Sequence, residues 1–564
     1  MKRIVMTVLA ASLLLPAASA KHAKIAKDLD TAGSETVDVI VQFKEVPTSK
    51  HHDKVAKNKG KYKAHLHSAK AALYSIPAQE LDALADDPDV AFITPDRSVH
   101  ATADHSMITI GAEIARSYNW DGTGVGVAVI DSGIYTAPDL DSKTSSQISR
   151  VVYSENFVPN QTGTGDGRGH GTHVAGIIAG SGKISSCSTC TQAFRGVATN
   201  ANIINLRVLK QDGTGTDSSV IAAIQRAIQL KSTYNIRVIN LSLGRGVLES
   251  YKADPLCQAV EAAWKAGIVV VVAAGNNGRD NSKNTSGYGA ISSPANDPYV
   301  ITVGAMKTME SASRGDDRVA SYSAKGPTAI DHIVKPDLVA PGNKIIATYF
   351  KNSQLATQYA SNIVPLSYYG GLTNASNYFW LSGTSMAAPM VSGAAALMLQ
   401  KEPSLTPDLV KARLMRTATK PSAFPLNSTS TDVVSGATFQ TRHDIFSMGA
   451  GYLDVWAALN DTANATTGKP ALSPKAVRNS ATGTVSLSVL WGESVLWGES
   501  VLWGESVVWG SSAFVTGSSV LWGDSVVWNN SLATGNSVLW GDSVLWGDSK
   551  PQGEATAIAT GGEN

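Results

Sequence analysis

The sequence predicts an α/β protein with a doubly wound core around a central parallel sheet, preceded by a small α+β module and followed by a tryptophan-rich, β-prone repeat. Apolar runs over residues 122–130, 238–241 and 268–272 read as strands buried on both faces, which is the signature of a parallel sheet. Gly- and Ala-rich turns at residues 169–176 and 383–388 run into helical stretches, so strands and helices alternate along the middle of the chain. Of 564 residues, 43% are hydrophobic and 16% charged, enough apolar material for a large core and far from a disordered composition. Lys+Arg (47) nearly balance Asp+Glu (46), leaving a formal charge of +1. That balance argues against a dedicated nucleic-acid binder, which needs a basic excess facing phosphates.

Lys2 and Arg3, an apolar run over residues 4–15, Pro16 and the small-residue ending Ala18-Ser19-Ala20 form the three-part layout of a secretory signal peptide. Cleavage is expected after Ala20, giving a secreted, extracellular protein. The run falls short of the ~20 residues that a transmembrane anchor requires, so no transmembrane anchor is expected. An oxidising compartment follows. With three Cys in the chain a disulfide scaffold is excluded. Cys187 and Cys190 are either half of a zinc site, for which no second pair exists, or a small loop disulfide, the better reading. Cys257 lies in an apolar helical stretch and reads as a small buried hydrophobe.

Between residues 37 and 96 the pattern is a strand (37–43), a Lys/His-rich helical stretch (54–72) and a strand (72–76), then a helix (78–85) and a strand (90–94). This is a small α+β module with helices covering one sheet. Lys54, Lys57, Lys59, Lys61 and Lys63 read as a solvated helix face.

Three segments then carry chemistry. Asp131-Ser132-Gly133 ends the strand at 122–130, where open α/β sheets place their sites. His170 opens a glycine-punctuated helix, and Ser385 sits in the turn Gly383-Thr384-Ser385-Met386-Ala387-Ala388-Pro389. A serine hydroxyl is a poor nucleophile until a base takes its proton, and the base needs a carboxylate to fix its tautomer. Asp131, His170 and Ser385 supply these roles jointly, whereas each alone would pass for an ordinary turn residue.

These segments resemble the subtilisin-like serine proteases, or subtilases, over about residues 121–459. The resemblance implies a subtilisin-like core with Asp131 as orienter, His170 as general base and Ser385 as acyl-forming nucleophile. It makes His173 structural and Asn276, after the strand run 268–272, the oxyanion donor beside Gly275. Asn277 falls where many relatives carry an acidic residue. Ser242-Leu243-Gly244 resembles the segment that pairs with an extended peptide and lines its primary pocket, a strand-addition mode. Arg245, where the family commonly has a small residue, either narrows a subsite or points to solvent.

The resemblance also recasts the first module as an inhibitory pro-domain, an intramolecular partner that assists folding and is cleaved near residues 100–105. Asp139 matches a calcium ligand of many relatives. The loop over 181–194 lacks the partner pattern, so that calcium site is expected to be absent or altered, and a structural calcium remains only a weak candidate. The chemistry requires no cofactor.

From Trp491 to Trp546 a Trp-Gly-Glu/Asp unit recurs, with Trp491, Trp497, Trp503 and Trp509 six residues apart. An even spacing puts every Trp on one face of an unbroken strand, while Gly-Glu steps equally suit turns between short strands. The expected organisation is signal peptide 1–20, pro-domain 21–104, catalytic domain 105–462, linker 463–487, hexapeptide repeat 488–549 and flexible tail 550–564. The function expected is a secreted serine endopeptidase, a self-processing monomeric zymogen acting on protein or peptide substrates. The competing reading is a surface- or polymer-binding protein whose repeat is the working part.

Overall fold

The computed structural model describes residues 22–478, apart from 27–28, 32, 97–104, 142–147, 283–284, 372–375, 433–435 and 463–469, and beyond these 485–488, 507–508, 519–520, 537–538 and 563. The expected signal peptide, the expected processing stretch up to residue 104 and the repeat tryptophans lie outside the described residues. Two units divide between His100 and Ala101.

In the first unit, β1 (Thr36–Phe43), β2 (Lys61–Leu66), β3 (Ala71–Pro77) and β4 (Val90–Pro95) form an antiparallel sheet ordered β2-β3-β1-β4. Period-two alternation buries Val39, Val41 and Phe43 of β1 and Ala72, Tyr74 and Ile76 of β3. Val55 of the Ser49–Lys57 helix and Leu81 and Leu84 of the Leu81–Ala85 helix join them in one core cluster. The helical stretch expected over 54–72 is a correction: the helix stops at Lys57 and β2 follows. Lys59 takes φ +57°, and a Cβ at Gly60 would lie 2.4 Å from Val55 Cγ1, so only glycine lets the chain turn back there. Lys57, Lys59, Lys61 and Lys63 are exposed as expected, but they are not one helix face, because Lys59 lies in the turn after the helix and Lys61 and Lys63 lie on β2. Lys54 pairs with Asp87 at 3.0 Å, Lys59 with Glu80 at 2.6 Å and Lys63 with Asp38 at 2.7 Å.

The second unit is built on an eight-stranded sheet ordered β11-β10-β9-β8-β5-β7-β6, with β12 also paired to β10. Its strands are β5 (Gly126–Asp131), β6 (Val151–Asn156), β7 (Asn202–Arg207), β8 (Ile236–Leu241), β9 (Val269–Ala273), β10 (Ile301–Lys307), β11 (Arg318–Val319) and β12 (Leu338–Pro341). All pairings are parallel except that of β11 with β10. Every residue of β5, β9 and β10 is buried, which explains the unbroken apolar runs. The chain fills one side of β5 with β7 and β6 and then returns to fill the other with β8 and β9. The carboxyl end of β5 is therefore a switch point, where open α/β sheets leave a crevice.

Two buried helices meet there. The His170–Ala179 helix is buried at every residue and the Thr384–Lys401 helix from Thr384 to Leu399. Small residues also bring the second helix close to the segment before β7: a Cβ on Gly393 would lie 2.5 Å from Val197 Cβ. The Asp217–Gln229 and Pro255–Lys265 helices, N-capped by Thr216 and Asp254, pack on each other and on β5, β8 and β9.

The packed part of this unit extends past residue 462, the domain end expected from sequence. Ser473 N–H donates to Pro298 O at 2.9 Å, Val334 N–H to Pro474 O at 2.8 Å, and Ala476 N–H to His332 O at 2.8 Å. The Lys475–Arg478 strand, expected to lie in a linker, pairs antiparallel with Val485–Ser488. Glu563, expected in a flexible tail, is 1% exposed.

Candidate active site

Asp131 closes β5 and is buried, and its Oδ1 accepts from Ser132 N–H at 2.7 Å and from His170 Nδ1 at 2.8 Å. A carboxylate can only accept, so Nδ1 carries the proton and Nε2 of the neutral ring is the free base. His170 is buried at the first position of its helix, and Nε2 has no hydrogen-bond partner among the described residues. The Gly-His-Gly setting has a steric reason: a Cβ at Gly171 would lie 2.2 Å from Gly133 O and 3.2 Å from Asp131 Cβ.

Asp166, which the sequence reading did not single out, braces both segments. Its carboxylate accepts from Ser132 Oγ at 2.7 Å, Gly169 N–H at 2.7 Å, Thr172 N–H at 2.8 Å and Thr172 Oγ1 at 2.6 Å. Burial raises its pKa, and these hydrogen bonds oppose the shift. The only signal for it was an acid in the glycine-rich loop before His170.

His173 lies one turn on and donates from Nε2 to Ile345 O at 3.1 Å and Phe379 O at 2.9 Å. It thereby ties the helix to the strands Ile345–Thr348 and Tyr378–Leu381, and burial lowers its pKa to about 3.

Ser385 is the second residue of the Thr384–Lys401 helix, whose entry is fixed by Gly383 N–H donating to Gly342 O at 2.7 Å. Its hydroxyl donates to Ser242 O at 3.2 Å, not to His170. Asn276 follows β9, and its Oδ1 accepts from Thr384 N–H at 3.0 Å and Thr384 Oγ1 at 3.1 Å. Gly275 N–H in turn donates to Thr384 Oγ1 at 3.1 Å. With the carbonyl end of Asn276 thus occupied, its amide nitrogen is the end left to meet a ligand, beside Ser385 at the start of the helix.

The profile of the subtilase family of peptidases matches residues 122–451, more than half of the chain. The chain belongs to the subtilase family. It is 42% identical to serine protease AprX of Bacillus subtilis over 298 residues, which are 52% of this chain and 61% of that protein. It is 34% identical to subtilisin DY of Bacillus licheniformis over 318 residues, 56% of this chain and 92% of that one. With subtilisin E of Bacillus subtilis it shares 33% over 389 residues, 67% of this chain and 84% of the relative.

In this subtilase Ser242, Leu243 and Gly244 follow β8 directly. Gly244 and Gly275 both face Ser292, with a Cβ on Gly244 falling 2.6 Å from Ser292 Oγ and one on Gly275 falling 3.2 Å from it. Arg245 corrects the sequence reading in both its forms. Its side chain is turned inward, donating through Nε to Asp217 Oδ2 at 2.9 Å and through Nη2 to Asp254 Oδ1 at 2.8 Å. It ties the N-termini of two helices to the segment after β8, which Arg245 N–H to Ser293 O (3.0 Å) and Ser293 N–H to Arg245 O (2.8 Å) also hold.

Asp139 does not fit the calcium site of its subtilase relatives. One carboxylate oxygen accepts from Ile184 N–H at 2.9 Å and the other from Tyr378 O–H at 2.6 Å. The Arg150 guanidinium donates to the Asp139 carbonyl at 2.8 Å, so a fixed cation and two protein donors stand where metal ligands would be needed. Burial raises the Asp139 pKa, which further disfavours an ionised ligand. Cys187 and Cys190 are joined as a disulfide with Cα atoms 4.9 Å apart, and Cys257 is buried and free.

Proposed function

We propose that this chain is a serine endopeptidase that cleaves peptide bonds through Asp131, His170 and Ser385. The observation that carries the reading is the 2.8 Å contact between Asp131 and the Nδ1 of His170, which leaves an unpaired base at Nε2. Ser385 rotates its hydroxyl from Ser242 O toward that nitrogen and, as the proton moves to His170, attacks the scissile carbonyl. Asp131 stabilises the imidazolium without taking the proton. The oxyanion is held by the Asn276 amide and the Ser385 N–H, aided by the positive end of the Thr384–Lys401 helix. His170 then protonates the leaving amine, and water, activated by the same base, releases the acyl group from Ser385.

The peptide binds in extended form along Ser242-Leu243-Gly244, with Gly275 opposite, so that main-chain hydrogen bonds supply affinity and pockets supply selectivity. The enzyme is made as a secreted zymogen, monomeric in solution. The layout of residues 1–20 supports export, and the compact α+β unit ending at residue 100 supports a pro-domain that occupies the site until self-cleavage. A folding helper that is destroyed leaves an enzyme protected by a kinetic barrier.

The test compares wild type with Ser385→Ala by intact mass, N-terminal sequence and casein hydrolysis. Wild type trimmed near residues 100–105 beside an untrimmed, inactive variant is the expected result. The loss of turnover should be about 10⁶, the size carried over from subtilisin itself. Normal trimming and hydrolysis in the variant would remove Ser385 from the nucleophile role.

A further inference from the structure

Glu563 stands 284 positions after Arg279 in the chain, yet its side chain is fully buried against it. Arg279 Nη2 donates to Glu563 Oε2 at 2.9 Å and Ser321 N–H to Oε1 at 2.9 Å. The Ser321 hydroxyl also donates to Oε2, and Lys307 Nζ lies 4.0 Å from Oε1. The backbone is read as well: Glu563 N–H donates to Asn343 Oδ1 at 3.0 Å, while Asn343 Nδ2 donates to Glu563 O at 2.8 Å. Asp432 pairs with Glu563 as an antiparallel bridge.

This is a built site, not a surface contact. The Arg279 guanidinium is fixed over the rings of Phe439 (4.6 Å) and Tyr322 (5.7 Å), and Lys307 is held by Ser430 Oγ at 2.9 Å. Two cations, one hydroxyl, one backbone donor and a side-chain amide that grips a peptide unit match an acidic residue in an extended segment. Asp432 already pairs with Nη1 of Arg279, so a neutral side chain at position 563 would leave the Nη2 end of Arg279 and the nearby Lys307 without the Glu563 carboxylate, and a free carboxylate ion would leave the Asn343 amide without its peptide partner.

We propose that Arg279, Lys307, Ser321 and Asn343 form a receptor for an acidic residue of extended chain whose occupant is Glu563. The chain is then anchored to the catalytic unit on either side of the tryptophan repeat in the sequence. One anchor is the Lys475–Arg478 strand, held through Ala476 N–H to His332 O, and the other is Glu563. The second anchor sits close in the chain to the catalytic groups. Arg279 is three residues after Asn276, and Asn343 follows Gly342, whose carbonyl accepts the Gly383 N–H.

The test is hydrogen exchange on the full chain, carrying Ser385→Ala so that self-digestion does not intrude. Because the Ser321 amide is closed by the Glu563 carboxylate, Glu563→Ala is expected to speed exchange of the peptide spanning Ser321 at least ten-fold. Arg279→Ala should act in the same direction, and the double variant should exchange no faster than the faster single one, as two partners of one contact must. Equal exchange at Ser321 in wild type and Glu563→Ala would overturn the proposal. Should Glu563→Ala fail to fold, Glu563→Gln keeps the shape and removes the charge; a smaller acceleration supports the docking and an unchanged rate overturns it.

Discussion

Ser242 and Ser385 hold each other twice: Ser242 Oγ donates to Ser385 O at 2.8 Å, and the Ser385 hydroxyl donates to Ser242 O at 3.2 Å. One residue of the proposed peptide-binding segment therefore fixes the backbone of the proposed nucleophile, while its own backbone parks the resting hydroxyl. Asn240 Nδ2 completes the chain by donating to Ser242 Oγ at 3.0 Å, and Ser392 Oγ donates to Asn240 Oδ1 at 2.8 Å. Ser242→Ala removes the first contact and keeps the second, because the acceptor of the second is a backbone oxygen. It leaves Ser385 O and Asn240 Nδ2 buried without that partner, at a cost of about 1–3 kcal/mol. The expected outcome is a lower denaturant midpoint with turnover within about ten-fold of wild type, since no group touching the substrate is deleted. Equilibrium unfolding and steady-state kinetics on one preparation check both halves.

Thr384 makes a graded test of the oxyanion site possible. Asn276→Ala deletes the amide and should lower kcat by about 10²–10³, the cost of one oxyanion donor in subtilisin, with KM little changed. Thr384→Val keeps the backbone N–H on Asn276 Oδ1 but removes the hydroxyl that also braces Gly275. Its loss in kcat should be smaller, about ten-fold, because the amide is still present but less firmly aimed. A KM effect without a kcat effect in either variant would move Asn276 from the transition state to ground-state binding.

Arg245 anchors the segment after β8, the proposed peptide-binding segment. Its side chain is 3% exposed, Asp254 is fully buried, and Asp254 also accepts from Ser293 Oγ at 2.6 Å and caps its helix through Leu256 N–H at 2.9 Å. Arg245→Met leaves that carboxylate buried without its cation, which costs about 3–5 kcal/mol. The double variant Arg245→Met/Asp254→Asn should recover part of the loss. Thermal melts of the two single variants and the double variant, combined as a cycle, measure the coupling.

The contrast between Arg245 and the proposed catalytic groups shows what the sequence makes legible. Asp131, His170, Asn276 and Ser385 each sit at a strand end or helix start bounded by glycines, and the apolar runs beside them locate those ends, so chemistry and placement are written locally. Arg245 was misread because its partners are 28 and 9 residues away, on helix starts whose orientation no local pattern fixes. The β2 strand was missed for a different reason. Lys61, Lys63 and His65 carry little apolar alternation, and the turn depends on a contact between Gly60 and Val55. Asp166 and Glu563 are recognisable only by the donors gathered around them, and for Glu563 those lie 220 to 284 positions away.

His173 gives the fold a defined acid sensitivity. Burial lowers its pKa to about 3, against about 6.5 for an unfolded histidine, because charging it would place an imidazolium in a dry site near His170. Between those values the unfolded chain binds a proton that the folded chain refuses. The contribution is therefore fully present above about pH 6.5 and is lost as pH falls toward 3, with a slope approaching about 1.4 kcal/mol per pH unit. His332 and His443, each lowered by burial to about 4, act in the same direction. Asp317, raised by burial to about 8, acts oppositely, since its folded state favours the proton and loses stability as pH rises. A difference measurement isolates His173. In the Ser385→Ala background, His173→Asn should be less stable than its parent at pH 7.5, because one side-chain donor no longer serves both Ile345 O and Phe379 O. That gap should narrow steadily from pH 6.5 to 4 as the parent alone pays to keep the imidazole neutral. Denaturant midpoints at half-unit pH steps read the gap directly, and a constant difference across the range would show that His173 is not the titrating group.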